Sequence, residues 1–452
     1  MLRLHDTALG RVAELELRDP GRVSIYACGP TVYDLPHVGH GRMALVFDLI
    51  RRYLEWSGLA VRYVSNITDI DDKIIVRANQ LGRRPEDVAK QYEEAWYDAI
   101  ARLGVRRPDA DPHATAYVEQ MVDLVGDLVG QGAAYPSSDG VYFRVDAVPD
   151  YGLLARQPLE TLRAGASGRV DTGEEKRSPL DFALWKLAKP GEPRWPSPWG
   201  DGRPGWHTEC VVMSLDLLGE GFDLHGGGQD LAFPHHENER AQAVAAGCAF
   251  ARRWAHNGFV EVGGEKMSKS LGNYTTLNDL LDAADARAYR LLVLQSHWRA
   301  PMEVTPVTVG HASNALAGLD DFVRRTADLP AAAADEEVLE RFRDRMDDDL
   351  DTPRAMALLF DTLRQANRAI DDGAAPRAAA LAAAVSEMAT AVGLALDEPP
   401  DVPPEVMAEV ERREEARRAR DFAAADDIRA RLLAAGWVIE DTPQGPRVHR
   451  QA

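Results

Sequence analysis

VSIYACGPTVYDLPHVGHGRMALVFDLIRRYLEWSGLAVRYVSNITDID, residues 23–71, decides the fold. Its opening, VSIYACGPTVYD (23–34), is β-rich and breaks at Gly29-Pro30. From about Val38 to Trp56, Met43, Phe47, Ile50 and Leu54 recur three and four residues apart, the period of a helix with one apolar face. LAVRYVSNITDID (59–71) is strand-like again. Strand, helix and strand in succession predict a βαβ unit, the opening of a nucleotide-binding parallel sheet.

Residues 112–135 predict helix. From Tyr135 to about Pro204 the chain turns rich in Gly, Pro and Arg, with short strand-like pieces such as VYFRVD (141–146), and reads as an insertion into the sheet. The sheet resumes near Trp206: GFDLHGGGQD (221–230) is strand plus glycine-rich turn, and PHHENERAQAVAAGCAF (234–250) is helical. Beyond Asn273, Leu and Ala recur helically across 278–295, 308–325, 338–349 and 354–371, and an alanine-rich helix follows in 374–385. DEPPDVPPE (397–405) is a linker by its prolines. One charged helical segment (405–435) and a strand-like end close the chain, and no internal repeat is found.

The 452 residues carry 52 Lys+Arg against 72 Asp+Glu, a net charge of −20, which normally argues against nucleic acid as a partner. Arg clusters at 412–420, and around Lys176-Arg177 and Arg203, are expected to supply local positive surface. Three cysteines cannot staple a chain this long, no apolar leader opens it and no run spans a bilayer. A soluble cytoplasmic protein is expected, with Cys248 a small buried core residue on a helix.

HVGH, His37 to His40, falls at a helix start, where backbone N–H groups and the helix dipole favour anions. Two imidazoles there either add donors for phosphate oxygens or merely cap the helix. KMSKS (266–270) follows strand-like FVEV (259–262). The chain has only seven lysines, yet Lys266 and Lys269 share this loop. Two compact ammonium groups can stabilise charge on a phosphate under attack and on departing pyrophosphate; the bland alternative is a solvated loop. His235 and Glu239, four apart, share a helix face. With Cys28 and Cys210 they form a ligand set that Zn²⁺ accepts. Spacing alone leaves buried structural cysteines as an equal alternative.

CGPTVYD (28–34), HVGH, NITDIDDK (66–73), LDFALWK (180–186), GRPGWHTEC (202–210), GFDLHGGGQDLAFPHHENE (221–239) and NGFVEVGGEKMSKSLGN (257–273) resemble, in order, the motifs of bacterial cysteinyl-tRNA synthetases. MDDDLDTPRAMALLF (346–360) and RDFAAADDIRARLLAAGWVIEDTPQGPR (420–447) extend the resemblance across essentially the whole chain. HVGH and KMSKS match the two class I synthetase signatures, with Val38 a conservative departure.

The resemblance implies an α/β, Rossmann-type class I catalytic domain with an insertion, then a helical bundle and a small C-terminal domain. The implied division is 1–120 and 205–255 for the two catalytic halves, 121–204 for the connective insertion, 256–310 for the KMSKS loop and stem-contact segment, 311–398 for the bundle, and 399–452 for anticodon binding. It implies activation of L-cysteine by ATP, with Mg²⁺, to cysteinyl-adenylate and pyrophosphate. Transfer to the 3′ adenosine of tRNA-Cys would follow, by a monomer without an editing domain. His37, Gly39, His40, Lys266 and Lys269 would serve ATP and catalysis. One Zn²⁺ on Cys28, Cys210, His235 and Glu239 would take the substrate sulfur. Gly29, Thr31, Thr68, Trp206 and His225 would line the cysteine pocket, with Asp230 meeting the ammonium; core packing is the alternative for Trp206. The nearest rival is the cysteine ligase of mycothiol biosynthesis, which shares the fold but needs no anticodon domain.

Overall fold

A computed structural model describes residues 1–157, 175–262, 265–266, 275–396, 403–442 and 445–450. Four parallel strands form the central sheet in the order Arg253–Asn257, Leu224–Gly228, Arg22–Ala27, Ala60–Ser65. Arg22–Ala27 is central, and the chain leaves it in one direction for Ala60–Ser65 and returns on its other side at Leu224–Gly228. That reversal opens a crevice beyond the carboxyl ends of the strands, where doubly wound sheets bind ligands. Cys28 and the Gly228 turn stand at its mouth.

The Val38–Trp56 helix spans the residues its apolar period demands. It buries Phe47, Ile50 and Tyr53 against Ile25, Leu224 and Ala255 of the sheet. Its other neighbours are helical: the same core runs on into Leu316, Phe342, Leu359 and Met388. Tyr53 donates to Asp347 Oδ1 at 2.8 Å and Trp56 Nε1 to Glu387 Oε1 at 3.2 Å, fixing this helix to the helices that follow the sheet. Each such buried side chain contributes about 1.5–3 kcal/mol.

The helices between the sheet and the C-terminal unit are Leu277–Ala283, Ala286–Gln295, Pro306–Thr326, Glu336–Asp347, Thr352–Asp371 and Ala375–Ala391. Side chains of Thr276, Asp285, Thr305, Asp335 and Asp351 cap five of these helices, each worth ~1 kcal/mol. The Asp285 cap divides the stretch expected as one helix over 278–295. Residues 112–135 likewise divide, into Ala114–Tyr117, Val118–Gly130 and the start of strand Ala134–Ser137. That strand joins Gly140–Phe143, Phe182–Leu187 and Gly202–Pro204 in an antiparallel sheet with its own core of Val141, Phe143, Leu184 and Trp185.

The expected single segment over 405–435 is two helices, Pro404–Arg418 and Phe422–Ala434. Arg420 takes a left-handed conformation, φ +61°, and Asp421 caps the second helix. They pack with the hairpin Trp437–Thr442/Gly445–Arg450 around Val410, Ile428, Trp437 and Ile439. The arginines expected as positive surface are largely paired. Arg413 is buried between Asp441 and Glu414, Arg417 also reaches Asp441, and Arg412 and Arg431 share Glu409. Arg203 is buried against Asp72 and Glu192. Arg177 and Lys176 lie over the rings of Tyr135 and Tyr142. Cys248 sits in the turn after the Glu237–Ala245 helix and is half-buried, because that helix ends three residues short of it. Among the described residues no helix is long and apolar enough to cross a membrane.

Candidate active site and metal centre

Cys28 follows the central strand directly, and Cys210 lies one turn into the Trp206–Leu218 helix. Their sulfurs are 3.4 Å apart. The third element is irregular: Ala232–His236 is kinked, with Phe233 extended (φ −142°, ψ 132°), and runs into the Glu237–Ala245 helix. His235 and Glu239 still meet across it, Nε2 to Oε1 at 3.0 Å. Glu239 Oε1 lies 3.5 Å from Cys28 Sγ, and Cys210 Sγ lies 3.7 Å from His235 Nε2. The structure thus brings together all four residues of the sequence-derived ligand set, each buried. One donor atom from each lies within 4.8 Å of every other, an arrangement able to hold a metal ion.

A second, overlapping set shares Cys28 and Glu239 but draws on His225 and His236. His225 Nε2 bonds the other carboxylate oxygen, Glu239 Oε2, at 2.7 Å. His236 Nε2 lies 3.3 Å from Cys28 Sγ, while its Nδ1 meets His256 Nε2 at 2.8 Å and His256 Nδ1 meets Thr7 Oγ1 at 2.7 Å. His207 Nδ1 meets His235 Nδ1 at 2.9 Å, on the ring edge away from the cluster. The imidazoles thus surround the thiols and the carboxylate as an outer layer of hydrogen-bond partners, the arrangement that orients metal ligands.

The electrostatics report the same crowding of negative donors. Burial opposes charge on His235, yet Glu239 and Cys210 outweigh it and raise its pKa to about 10. Burial would raise Cys210, but the hydrogen bond from Cys28 and the neighbouring His235 hold it at about 6. Burial pushes the Cys28 thiol up, with Cys210 and Glu239 adding to it. Glu239, despite its burial, is held well below the usual carboxylate range by His235 and His225. The cluster calls for positive charge in its midst, and two sulfurs, one imidazole nitrogen and one carboxylate oxygen are donors that Zn²⁺ takes.

Of the sequence-derived pocket residues, Trp206 and His225 contact the cluster and Gly29 adjoins Cys28. Gly29 approaches so closely that a Cβ there would sit 1.6 Å from the Asn66 carbonyl oxygen. Its N–H donates to Asn66 Oδ1 at 2.9 Å. Thr31 bridges to Thr68, whose hydroxyl donates to the buried Glu209 Oε2 at 2.8 Å. Trp206 is half-buried and stacks on His235, centroids 4.0 Å apart. One face of Trp206 thus packs on a member of the Cys/His/Glu cluster. Asp230 is exposed on the short turn Gln229–Leu231.

His37 is the N-cap of the Val38–Trp56 helix and His40 its third residue. His40 N–H donates to His37 Nδ1 at 3.2 Å, His37 N–H to His40 Nδ1 at 3.3 Å, and the rings stack 3.6 Å apart. The capping role is therefore present, and Gly39 lies between the two histidines in sequence, in the first turn of the helix. Lys266 closes a short hairpin, paired through its backbone with Glu261; its side chain and Lys269 lie outside the described residues. Sequence reasoning missed Asn66, Glu209 and the outer histidines His207, His236 and His256. The doubled histidine of PHHENE was a signal for His236, and the motifs NITDIDDK and GRPGWHTEC contain Asn66, His207 and Glu209.

Over residues 14–314 the chain matches the family described as tRNA synthetases class I (C) catalytic domain. Residues 341–397 match the DALR domain and 399–448 the cysteinyl-tRNA ligase anticodon binding domain. The chain is 46% identical to the cysteine–tRNA ligase of Halorhodospira halophila, over the full length of both. The chain belongs to the cysteine–tRNA ligase family. The enzymes of Alkalilimnicola ehrlichii (45%, full length of both) and Geobacter sulfurreducens (43%, 98% of each chain) agree. Methionyl-tRNA synthetase of Mycobacterium tuberculosis, solved with methionyl-adenylate, superposes with a TM-score of 0.62 at 18% identity, covering 82% of this chain and 89% of that one, and shares the fold.

As a cysteine–tRNA ligase, the enzyme joins cysteine to transfer RNA at the expense of ATP, with ATP, cysteine and transfer RNA as substrates. The mycothiol-ligase alternative is not favoured, since the anticodon-binding match covers the chain's end.

Proposed function

We propose that this ligase selects cysteine through a Zn²⁺ held by Cys28, Cys210, His235 and Glu239. The observation that carries the reading is the convergence of two thiols, an imidazole and a carboxylate in one buried cluster. The competing set is less apt, because it leaves out the second sulfur, a soft donor that Zn²⁺ favours. When bound, Zn²⁺ supplies a soft, charged acceptor for the substrate sulfur, which the hydroxyl of serine and the methyl of alanine do not match. An apolar pocket alone separates such near-isosteres only about 10–200-fold.

The protein's own residues do the rest. Gly29, Thr31, Thr68, Trp206 and His225 enclose the amino acid, and Asp230, at the exposed rim, meets its ammonium group. The cysteine carboxylate attacks the α-phosphate of ATP in line, and pyrophosphate leaves. No protein nucleophile is needed, so catalysis consists of positioning and charge stabilisation. The cap uses the Nδ1 nitrogens of His37 and His40; their Nε2 nitrogens and the first-turn backbone at Gly39 receive the phosphates. Lys266 and Lys269 neutralise charge on the α-phosphate and pyrophosphate, with Mg²⁺ accompanying ATP. The 3′ adenosine of tRNA-Cys then takes the cysteinyl group, releasing AMP.

In this reading residues 1–120 and 205–255 form the catalytic domain, 121–204 its insertion, 256–310 the signature loop and stem-contact segment, 311–398 the bundle and 399–452 the anticodon unit. The enzyme works as a cytoplasmic monomer. The test is cysteine-dependent ATP–pyrophosphate exchange on preparations of measured zinc content, followed by charging of tRNA-Cys. Exchange that is independent of metal content would overturn the zinc reading.

A further inference from the structure

Arg42 stands two residues beyond His40 on the same helix and is 1% exposed. Its guanidinium donates to five backbone carbonyls. Nη1 reaches Gly258 O at 2.9 Å and Phe259 O at 2.7 Å; Nη2 reaches His297 O at 3.2 Å, Trp298 O at 3.3 Å and Ala300 O at 2.5 Å. Burial lowers its pKa to about 10, so it keeps its charge at neutral pH. A planar fork can grip two separated groups of carbonyls at once, which a point ammonium cannot.

These carbonyls belong to the two chain segments that carry the signature hairpin. Phe259 leads into strand Val260–Val262, which pairs with Met302–Glu303 on one side and with Glu265–Lys266 on the other. Gly258 N–H donates to Trp298 O at 2.9 Å, and a Cβ on Gly258 would lie 2.4 Å from Ala300 O. The two segments are thus pressed together at the point that Arg42 holds. The chain beyond the hairpin returns to the same helix: Val38 N–H donates to Thr275 O, Leu277 N–H to Pro36 O, and His37 bridges to Thr276. His37 and His40 are referenced to Thr275–Leu277 by the backbone, and Arg42 ties them to the start of strand Val260–Val262, which pairs with Glu265–Lys266.

We infer that Arg42 is a positioning residue for adenylate formation, setting the distance between the histidines of the first signature and the lysine-bearing hairpin of the second. The inference rests on the proposed phosphate roles of His37, His40 and Lys266. A displacement of about 1 Å at such a site costs on the order of 10²-fold in rate.

Arg42→Lys keeps the charge but cannot span both groups of carbonyls. Pyrophosphate exchange by Arg42→Lys, normalised to active sites counted by the adenylate burst, is expected to fall roughly 10²-fold in kcat. Zinc content and the KM for cysteine are expected to stay near wild type. Gly258→Ala, which pushes the same strand aside without removing a buried charge, is expected to give the same split. The double variant Arg42→Lys/Lys266→Ala is expected to be no slower than Lys266→Ala alone, because both changes disable one interaction. A purely structural Arg42 would lower the melting temperature and the number of active sites without changing kcat per site. Wild-type kcat per site in Arg42→Lys beside a slow Lys266→Ala overturns this inference alone, as does a double variant slowed by the product of the single effects. An unimpaired Lys266→Ala overturns the phosphate reading beneath it.

Discussion

The indole of Trp206 lies on the imidazole of His235 with centroids 4.0 Å apart and planes within 15°. One face of His235 is therefore set by the residue that opens the Trp206–Leu218 helix, and its Nδ1 edge by His207 of the same helix. The helix that delivers Cys210 also orients the histidine opposite it. Trp206→Ala is expected to raise the KM for cysteine about tenfold or more, and to speed zinc loss to a chelator, since outer partners of metal ligands typically contribute 10–100-fold. Trp206→Phe should restore most of both. An unchanged zinc off-rate, followed with a colorimetric chelator, would confine Trp206 to the substrate side.

Cys210→Ser replaces a thiolate by a poor zinc ligand and leaves the buried Glu239 and His235 with one donor fewer. The purified variant is expected to contain less than about a tenth of the wild-type zinc, and cysteine-dependent exchange should fall in parallel. Elemental analysis beside the exchange assay checks this. A variant that has lost zinc but still exchanges at the wild-type rate would separate the metal from activation.

Lys269→Ala should slow adenylate formation by roughly 10²–10³-fold, the scale of removing one donor to transition-state charge. The KM for cysteine should hardly move, since in the proposed reading the lysine acts on the phosphates and not on the amino acid. Single-turnover kinetics of ATP consumption read this directly. A change confined to the cysteine KM would remove the lysine from the phosphate role.

The C-terminal unit has its own core and joins the bundle through a proline-rich linker. Removing residues 399–452 is expected to leave cysteine-dependent exchange within about twofold of wild type while lowering kcat/KM for tRNA-Cys charging on the order of 10²-fold or more, the loss of a binding module. Equal loss of both would show that the unit supports the catalytic domain.

The parts legible in the sequence were those set by short-range periodicity. Met43, Phe47, Ile50 and Leu54 repeat at helical spacing, and the helix runs over the residues they predict. His235 and Glu239 meet at i,i+4. The kink at Phe233 just before them was not legible, because Pro234 read as the start of a plain helix. Cys28 and Cys210 are 182 residues apart, and only the sheet topology brings their sulfurs together. Charge was the most misleading signal. Arg413 reads as part of a basic surface cluster, but its partner Asp441 comes from the terminal hairpin 28 residues on. Arg42 was silent for the same reason: its five acceptors are backbone carbonyls, which carry no sequence signature.

The central claim is that the thiol of the substrate is chosen at a metal already bound by two protein sulfurs. X-ray absorption at the zinc edge of the purified enzyme, with and without saturating L-cysteine, tests it most directly. The expected spectrum fits two sulfur ligands, Cys28 and Cys210, without substrate and three with L-cysteine, and L-serine leaves it unchanged. A sulfur count that does not rise when cysteine binds would contradict the account.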